Sequence, residues 1–173
     1  MATVEELERR IQQLEARMTE AEDERAIREL LARYGYTADV KKDKEYIDLY
    51  TEDGVMNLGS GSRPGYEAIR RWEGKKGLWE FITDVQGHRH PAQYGNRMHA
   101  QGNNVVCHID GDTAVVNSYS IVLLRSGDDV LLNSAGNNQW TMKKIDGKWH
   151  IKERRRRHIG GEEYHVNLDA TPA

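Results

Sequence analysis

At 173 residues the chain has room for one domain with an extra element, and is long enough to bury a sizeable core. Its net charge of -3, with 31% charged residues, gives no global electrostatic reason to bind nucleic acid, and no apolar run approaches the ~20 residues of a membrane-spanning helix. A single cysteine, Cys107, excludes an internal disulfide, and Val105, Val106 and Ile109 around it suit a small buried hydrophobe better than a nucleophile. The acidic, amphipathic N-terminus is unlike a signal peptide, so the expectation is a soluble, cytoplasmic protein.

Residues 3–20 read as a helix. Val4, Leu7, Ile11, Leu14 and Met18 step by three and four, which is a heptad seam. Two readings fit it: an oligomer contact, or a helix packed on its own domain. A second helix is expected from about Asp23 to Ala38, with Ile27, Leu30, Leu31, Tyr34 and Ala38 on one apolar stripe. Lys44 to Tyr50 reads as a short third helix, Thr51 to Gly54 as a turn, and Val55 to Leu58 as a short strand. The loop from Gly59 to Gly65 has no strand-to-helix context that would make its Gly-x-Gly a phosphate site. Helices are expected over Tyr66–Trp72 and Leu78–Val85, with a break at Gly74 to Gly77.

From Arg97 the apolar period changes to two. Strands are expected over 97–109, 113–125, 130–144 and 149–158, joined at Asp110-Gly111, Ser126 to Asp129 and Asp146-Gly147. Gly102 and Gly136 should bend them. Helices followed by four long antiparallel strands give an α+β fold, a curved sheet with helices packed in its concave face and an extra N-terminal helix. The division is residues 1–20 as an amphipathic oligomer helix, 21–160 as the domain, and 161–173 as a mobile tail or one that reaches a neighbouring subunit.

Polar residues stand out on the strands. By parity Arg97, His99, Gln101 and Asn103 share a face, as do Asn138, Trp140 and Met142, and Trp149, Ile151, Glu153, Arg155 and Arg157. Apolar walls with a few oriented polar groups describe a ligand cavity; a half-exposed sheet is the competing reading. Asp39 lies at a helix C-terminus, where the macrodipole disfavours an acid. It is either a solvated loop residue or the partner of His99 in a proton-transfer pair. Arg154 to Arg157 is discounted as a nucleic-acid patch, because strand arginines alternate between faces and no aromatic platform accompanies them. His88-x-His90, with His99 and His108, is compatible with zinc or iron, but no third ligand stands at a diagnostic spacing, so no metal is assigned.

Four motifs in order resemble the SnoaL-like branch of the nuclear transport factor 2-like superfamily. They are the helix Asp23 to Tyr34, the segment Tyr46 to Val55 ending in Asp53-Gly54, Gly65-Tyr66-Glu67-Ala68-Ile69, and the hairpin Asp146-Gly147-Lys148-Trp149-His150-Ile151. The resemblance covers residues 23 to 157 and implies a conical α+β barrel and an oligomer, dimer or trimer. It places Asp39 and His99 at the Asp-His pair of family dehydratases and dehydrochlorinases. Tyr34 matches a tyrosine of bile-acid dehydratases of that branch. Arg155 lies near an arginine that some relatives place in the cavity. Many relatives carry a tyrosine and an acid where this chain has Asn138 and Trp140, so substrate contacts should differ. Five helical steps rotate by about 140°, so Tyr34 and Asp39 can meet one pocket only from different walls.

The expected function is a lyase without cofactor. His99 would move the proton, its tautomer fixed by Asp39, with Tyr34 and Arg155 assisting. Asn138, Trp140, Gln101, Tyr119 and Trp79 would contact a hydroxylated aromatic or alicyclic small molecule, which would leave water or a fragment such as formaldehyde. The alternatives are an isomerase of the same fold, a non-catalytic binding or assembly module, and the beta subunit of a ring-hydroxylating dioxygenase.

Overall fold

The computed structural model describes residues 2–59, 69–85, 90, 95–161 and 163–165, and of residues 101–106 the backbone alone. In chain order it contains α1 (Val4–Asp39), α2 (Asp43–Asp48), β1 (Tyr50–Leu58), β2 (Arg70–Glu73), α3 (Gly74–Thr83), β3 (Arg97–Asp110), β4 (Thr113–Ser126), β5 (Asp129–Ile145) and β6 (Lys148–His158). The fold is α+β, as the element pattern requires. Among the described residues six strands form one sheet in the order β2-β1-β6-β5-β4-β3. The four long strands are antiparallel to one another, and β1 joins β6 in parallel, so the sheet is mixed and open at β2 and β3. Asp146 and Gly147 both take positive φ, the backbone that a tight hairpin turn demands, at the position the sequence indicates. Among the described residues no helix is long and apolar enough to cross a membrane.

Several local expectations change. The first two helices are one continuous helix of 36 residues. Its start is fixed by a capping box, in which Thr3 accepts from the Glu6 backbone and Glu6 accepts from the Thr3 backbone. Nothing between Glu20 and Glu24 can stop it, because the stretch holds neither glycine nor proline. Asp23 instead reaches sideways from mid-helix. Thr51 to Gly54 belongs to β1, whose pairing with β6 slips between Tyr50 and Val55. Residues 70–73 are a strand rather than a helix end, and 66–68 lie outside the described residues. α3 begins at Gly74, so Gly74 to Gly77 starts a helix rather than breaking one. The register shift at Gly102 is present. Gly136 bends β5 toward β6 so closely that a Cβ there would lie 2.1 Å from the Arg157 carbonyl oxygen.

The core gathers the stripe Ile27, Leu30, Leu31, Tyr34 and Ala38 of α1 against Val116, Trp140, Met142 and Ile151 of the sheet. Tyr46 and Tyr50 close it from α2 and β1. Only the second half of α1 takes part; every described residue of 2–22 is exposed. Glu163 pairs with Arg157, and the Tyr164 carbonyl accepts from Asn137, so the start of the 161–173 segment lies on its own sheet. The rest of that segment, 166–173, is outside the described residues.

The middle of α1 is pinned to the β5–β6 hairpin. Asp23 Oδ1 accepts from Lys144 Nζ at 2.7 Å and from Trp149 Nε1 at 2.8 Å. Burial alone would raise the Asp23 carboxyl, but the donors Lys144 and Trp149 outweigh it and hold it below its ordinary 3.8. The stability this contributes is therefore present above that value and lost as pH falls below it. Asp23→Ala should cost about 1.5–3 kcal/mol. At about 2–4 °C per kcal/mol for a chain of this size, calorimetry should read it as a drop in Tm. Asp23→Asn should recover part of it, because the amide oxygen still accepts.

Candidate active site

The inner face of the sheet changes character along its length. At one end it carries Ala114, Val116, Met142, Trp149 and Ile151; toward the other it carries Ser118, Ser120, Asn138, Arg154 and Arg156, all buried. A buried polar face of this kind must satisfy itself, and it does so through a chain of hydrogen bonds. Ser118 Oγ accepts from Trp140 Nε1 at 3.0 Å and from Asn138 Nδ2 at 3.2 Å. Asn138 Oδ1 accepts from Arg154 Nε at 2.9 Å, and Arg154 Nη1 donates to the Tyr34 hydroxyl at 2.5 Å. Tyr34 and Tyr46 share a hydrogen bond of 2.7 Å. The Arg154 guanidinium also lies over the Tyr34 and Trp140 rings, 4.8 and 5.0 Å from their centroids.

At the C-terminal end of α1 the acid is not in solvent. Asp39 Oδ2 accepts from the His99 backbone N–H at 2.8 Å, and Oδ1 meets His99 Nδ1 at 2.5 Å. These two contacts offset the unfavourable end of the helix dipole and fix the imidazole ring. Both side chains are largely buried. With Nδ1–H donating to the carboxylate, Nε2 is the basic nitrogen. Burial lowers the His99 value below 6.5; the Asp39 hydrogen bond and charge oppose this, and Arg97 and Arg154 add to it. Since Arg154 acts on His99 electrostatically, the dyad and the Arg154 network are neighbours.

The predicted residues fall into three groups. Asp39 and His99 meet, and Tyr34, Asn138 and Trp140 gather beside them around Arg154. Tyr34 and Asp39 reach the site from different sides of one helix, as their five-residue separation demands. Arg155, Tyr119 and Trp79 are elsewhere. Tyr119 lies between the inward Ser118 and Ser120, points to the opposite face, and is 42% exposed. Trp79 is 50% exposed on α3. The Gln101 side chain and His88 lie outside the described residues. Among the described residues no three His, Cys, Asp or Glu side chains gather as metal ligands.

The arginine assignment is corrected by one residue. Met142 pairs with Ile151 and Thr141 with Glu153, so β6 holds an extra residue, Lys152. A bulge of one residue inverts the alternation beyond it. Arg154 therefore follows Ile151 to the inner face, while Arg155 shares the outer face with Glu153 and Arg157, where Asn57 bonds both of the latter. The sequence carried no glycine to signal that bulge. Tyr46 and Tyr50 were not among the expected site residues, and both lie in the core. Both hydroxyls are wholly buried, and burial above all, with the neighbouring tyrosines adding to it, holds them as phenols well above their ordinary value. The Tyr50 ring packs against those of Tyr34 and Tyr46, with centroids 6.4 and 5.8 Å away.

The SnoaL-like domain model matches residues 19–155. No curated protein matches the chain in sequence. Among solved structures, a nuclear transport factor 2-like protein with a cystatin-like fold from Novosphingobium aromaticivorans is 25% identical, with a TM-score of 0.72, covering 97% of this chain and 98% of its own. A candidate scytalone dehydratase from the same organism is 19% identical at a TM-score of 0.62, covering 81% and 86%. The beta subunit of a candidate aromatic-ring-hydroxylating dioxygenase, also from that organism, is 17% identical at 0.63, covering 77% and 86%. The last two likenesses show the fold alone. With the domain match running over most of its length and in agreement with the fold, the chain belongs to the SnoaL-like domain family.

Proposed function

We propose that the protein is a lyase that eliminates water, or a small fragment such as formaldehyde, from a hydroxylated aromatic or alicyclic molecule by acid–base catalysis. The observation that carries this is the buried Asp39–His99 dyad beside a guanidinium with no carboxylate partner among the described residues. Among the described residues no carboxylate pairs with Arg154, although it is only 4% exposed. A buried cation without an anion is costly. One substrate oxygen bearing negative charge would offset that cost.

The steps follow from that arrangement. His99 Nε2 takes a proton from the carbon beside a carbonyl, and the C–H electron pair becomes an enolate. Arg154, held in place by Tyr34 and Asn138, stabilises the oxyanion. The enolate collapses, the β-carbon–oxygen bond breaks, and the imidazolium returns its proton so that the hydroxyl leaves as water. Asp39 holds the imidazole and stabilises its charged form. Trp140 excludes water from the back of the arginine. The meeting of Asp39 with His99 supports catalysis over a purely binding role.

A screen of hydroxylated aromatic and alicyclic compounds for loss of water, halide or formaldehyde supplies the substrate. On it, His99→Ala should lower turnover by about 10²- to 10⁴-fold and Arg154→Met by about 10²- to 10³-fold. Arg155→Ala, on the opposite face, should leave turnover near wild type. Full activity in His99→Ala would remove the dyad from the mechanism.

The protonation of His99 gives a second measurement. Burial keeps the imidazole neutral at pH 7, so NMR titration should find its midpoint below 6.5. Arg154→Met should raise that midpoint by removing a nearby positive charge. Asp39→Asn should lower it by removing the stabilising negative one. Turnover should fall as pH drops through the same midpoint, because the base becomes protonated.

A further inference from the structure

The two halves of α1 face opposite ways. From Ile27 to Ala38 its apolar stripe lies on the sheet. From Val4 to Met18 its apolar residues are exposed, Val4 at 69% and Leu14 at 61%. At about 100° per residue, the first stripe is centred about 180° from the second. The helix is continuous, so the first stripe cannot turn back onto its own domain. It remains an apolar seam about 21 Å long, facing away from the protomer.

The residues of that seam and its borders are ordered. Val4, Ile11 and Met18 fall at a, and Leu7, Leu14 and Ala21 at d. Beside them every e position is acidic, Glu8, Glu15 and Glu22, and the g positions Arg10 and Arg17 are basic. We propose that residues 4–22 form a parallel, in-register, two-stranded coiled coil with a second copy of this chain.

Charge decides the orientation. In a parallel pair each g residue meets the e residue of the next heptad on the other strand. Arg10 then faces the partner's Glu15, and Arg17 the partner's Glu22, with the same pairs repeated by the twofold. In an antiparallel pair g faces g and e faces e, which sets arginine against arginine and glutamate against glutamate. Branched Val and Ile at a with Leu at d favour two strands over three. So short a coiled coil would be marginal as an isolated peptide. Here its nucleation cost is already met, because residues 23–39 are held helical by the domain. The dimer does not depend on the reaction proposed above.

The full-length chain should sediment at twice its 19.9 kDa mass. Leu7→Glu with Leu14→Glu should yield monomer, and both sites are exposed in the protomer, so an unchanged circular dichroism spectrum should confirm that the domain still folds. Arg10→Glu with Arg17→Glu should also yield monomer. Mixed with a Glu15→Arg, Glu22→Arg chain, it should recover a heterodimer. Leu7→Cys should oxidise to a cross-linked dimer, which parallel strands permit and antiparallel ones prevent. The wild-type chain is the control, since burial pushes the Cys107 thiol up to about 11. A monomeric or trimeric wild type would overturn the proposal. So would a dimer that survives Leu7→Glu with Leu14→Glu, or one that Leu7→Cys fails to cross-link.

Discussion

One extra residue in β6 determines which side chains the inner face receives. Up to Ile151 the strand alternates in step with β5, and its inward positions continue the apolar core. Lys152 then breaks the step and sends its amine outward to Asp53. Beyond it the inward positions are arginines. Without that slip, Glu153 and Arg155 would face α1, and an acid would sit beside the Asp39 carboxylate. With it, the face beside the dyad is positive and carries no acid from β6. The location of the bulge therefore sets the sign of the local electrostatic field, and that sign favours a neutral imidazole.

Holding Arg154 there requires the rest of the network. A guanidinium loses strong hydration on burial, and neutral groups must replace it. Asn138 and Tyr34 accept its hydrogens, and two aromatic faces cover it. Tyr46 and Ser118 in turn hold Tyr34 and Asn138. None of these contacts neutralises the charge. The network keeps a full positive charge in a poorly solvated place, where Coulomb interactions with an oxyanion are strong. A carboxylate partner would have made the arginine more comfortable and of less use.

Much of this was legible in the amino-acid sequence, and the exceptions share a cause. The Asp-Gly turns, the long strands and the α1 core stripe follow from local periodicity, which the fold respects. The Asp39–His99 pair was legible from the family resemblance, and the two side chains meet in the structure. Parity counting succeeded for Asn138 and Trp140, where β5 is regular. It failed for Arg155, because a bulge leaves no mark in a strand of Lys, Glu and Arg. Tyr119 and Trp79 failed for a different reason: an aromatic side chain alone does not say which face it occupies. One continuous helix stands where two were expected, with its apolar residues on opposite sides in its two halves. A helix can instead change the neighbour it serves without interruption.

That unbroken helix also acts as a gauge. Asp23 and Asp39 are its two fixed points, one clamped by Lys144 and Trp149 and the other by His99. Sixteen residues separate them, about 24 Å of helix rise. Adding or removing one residue between the clamps would advance the helix by about 1.5 Å and swing Asp39 by about 100° around its axis. Point substitutions on the exposed side of this segment leave that phase untouched. The spacing between the two aspartates is thus a constraint on length rather than on residue type.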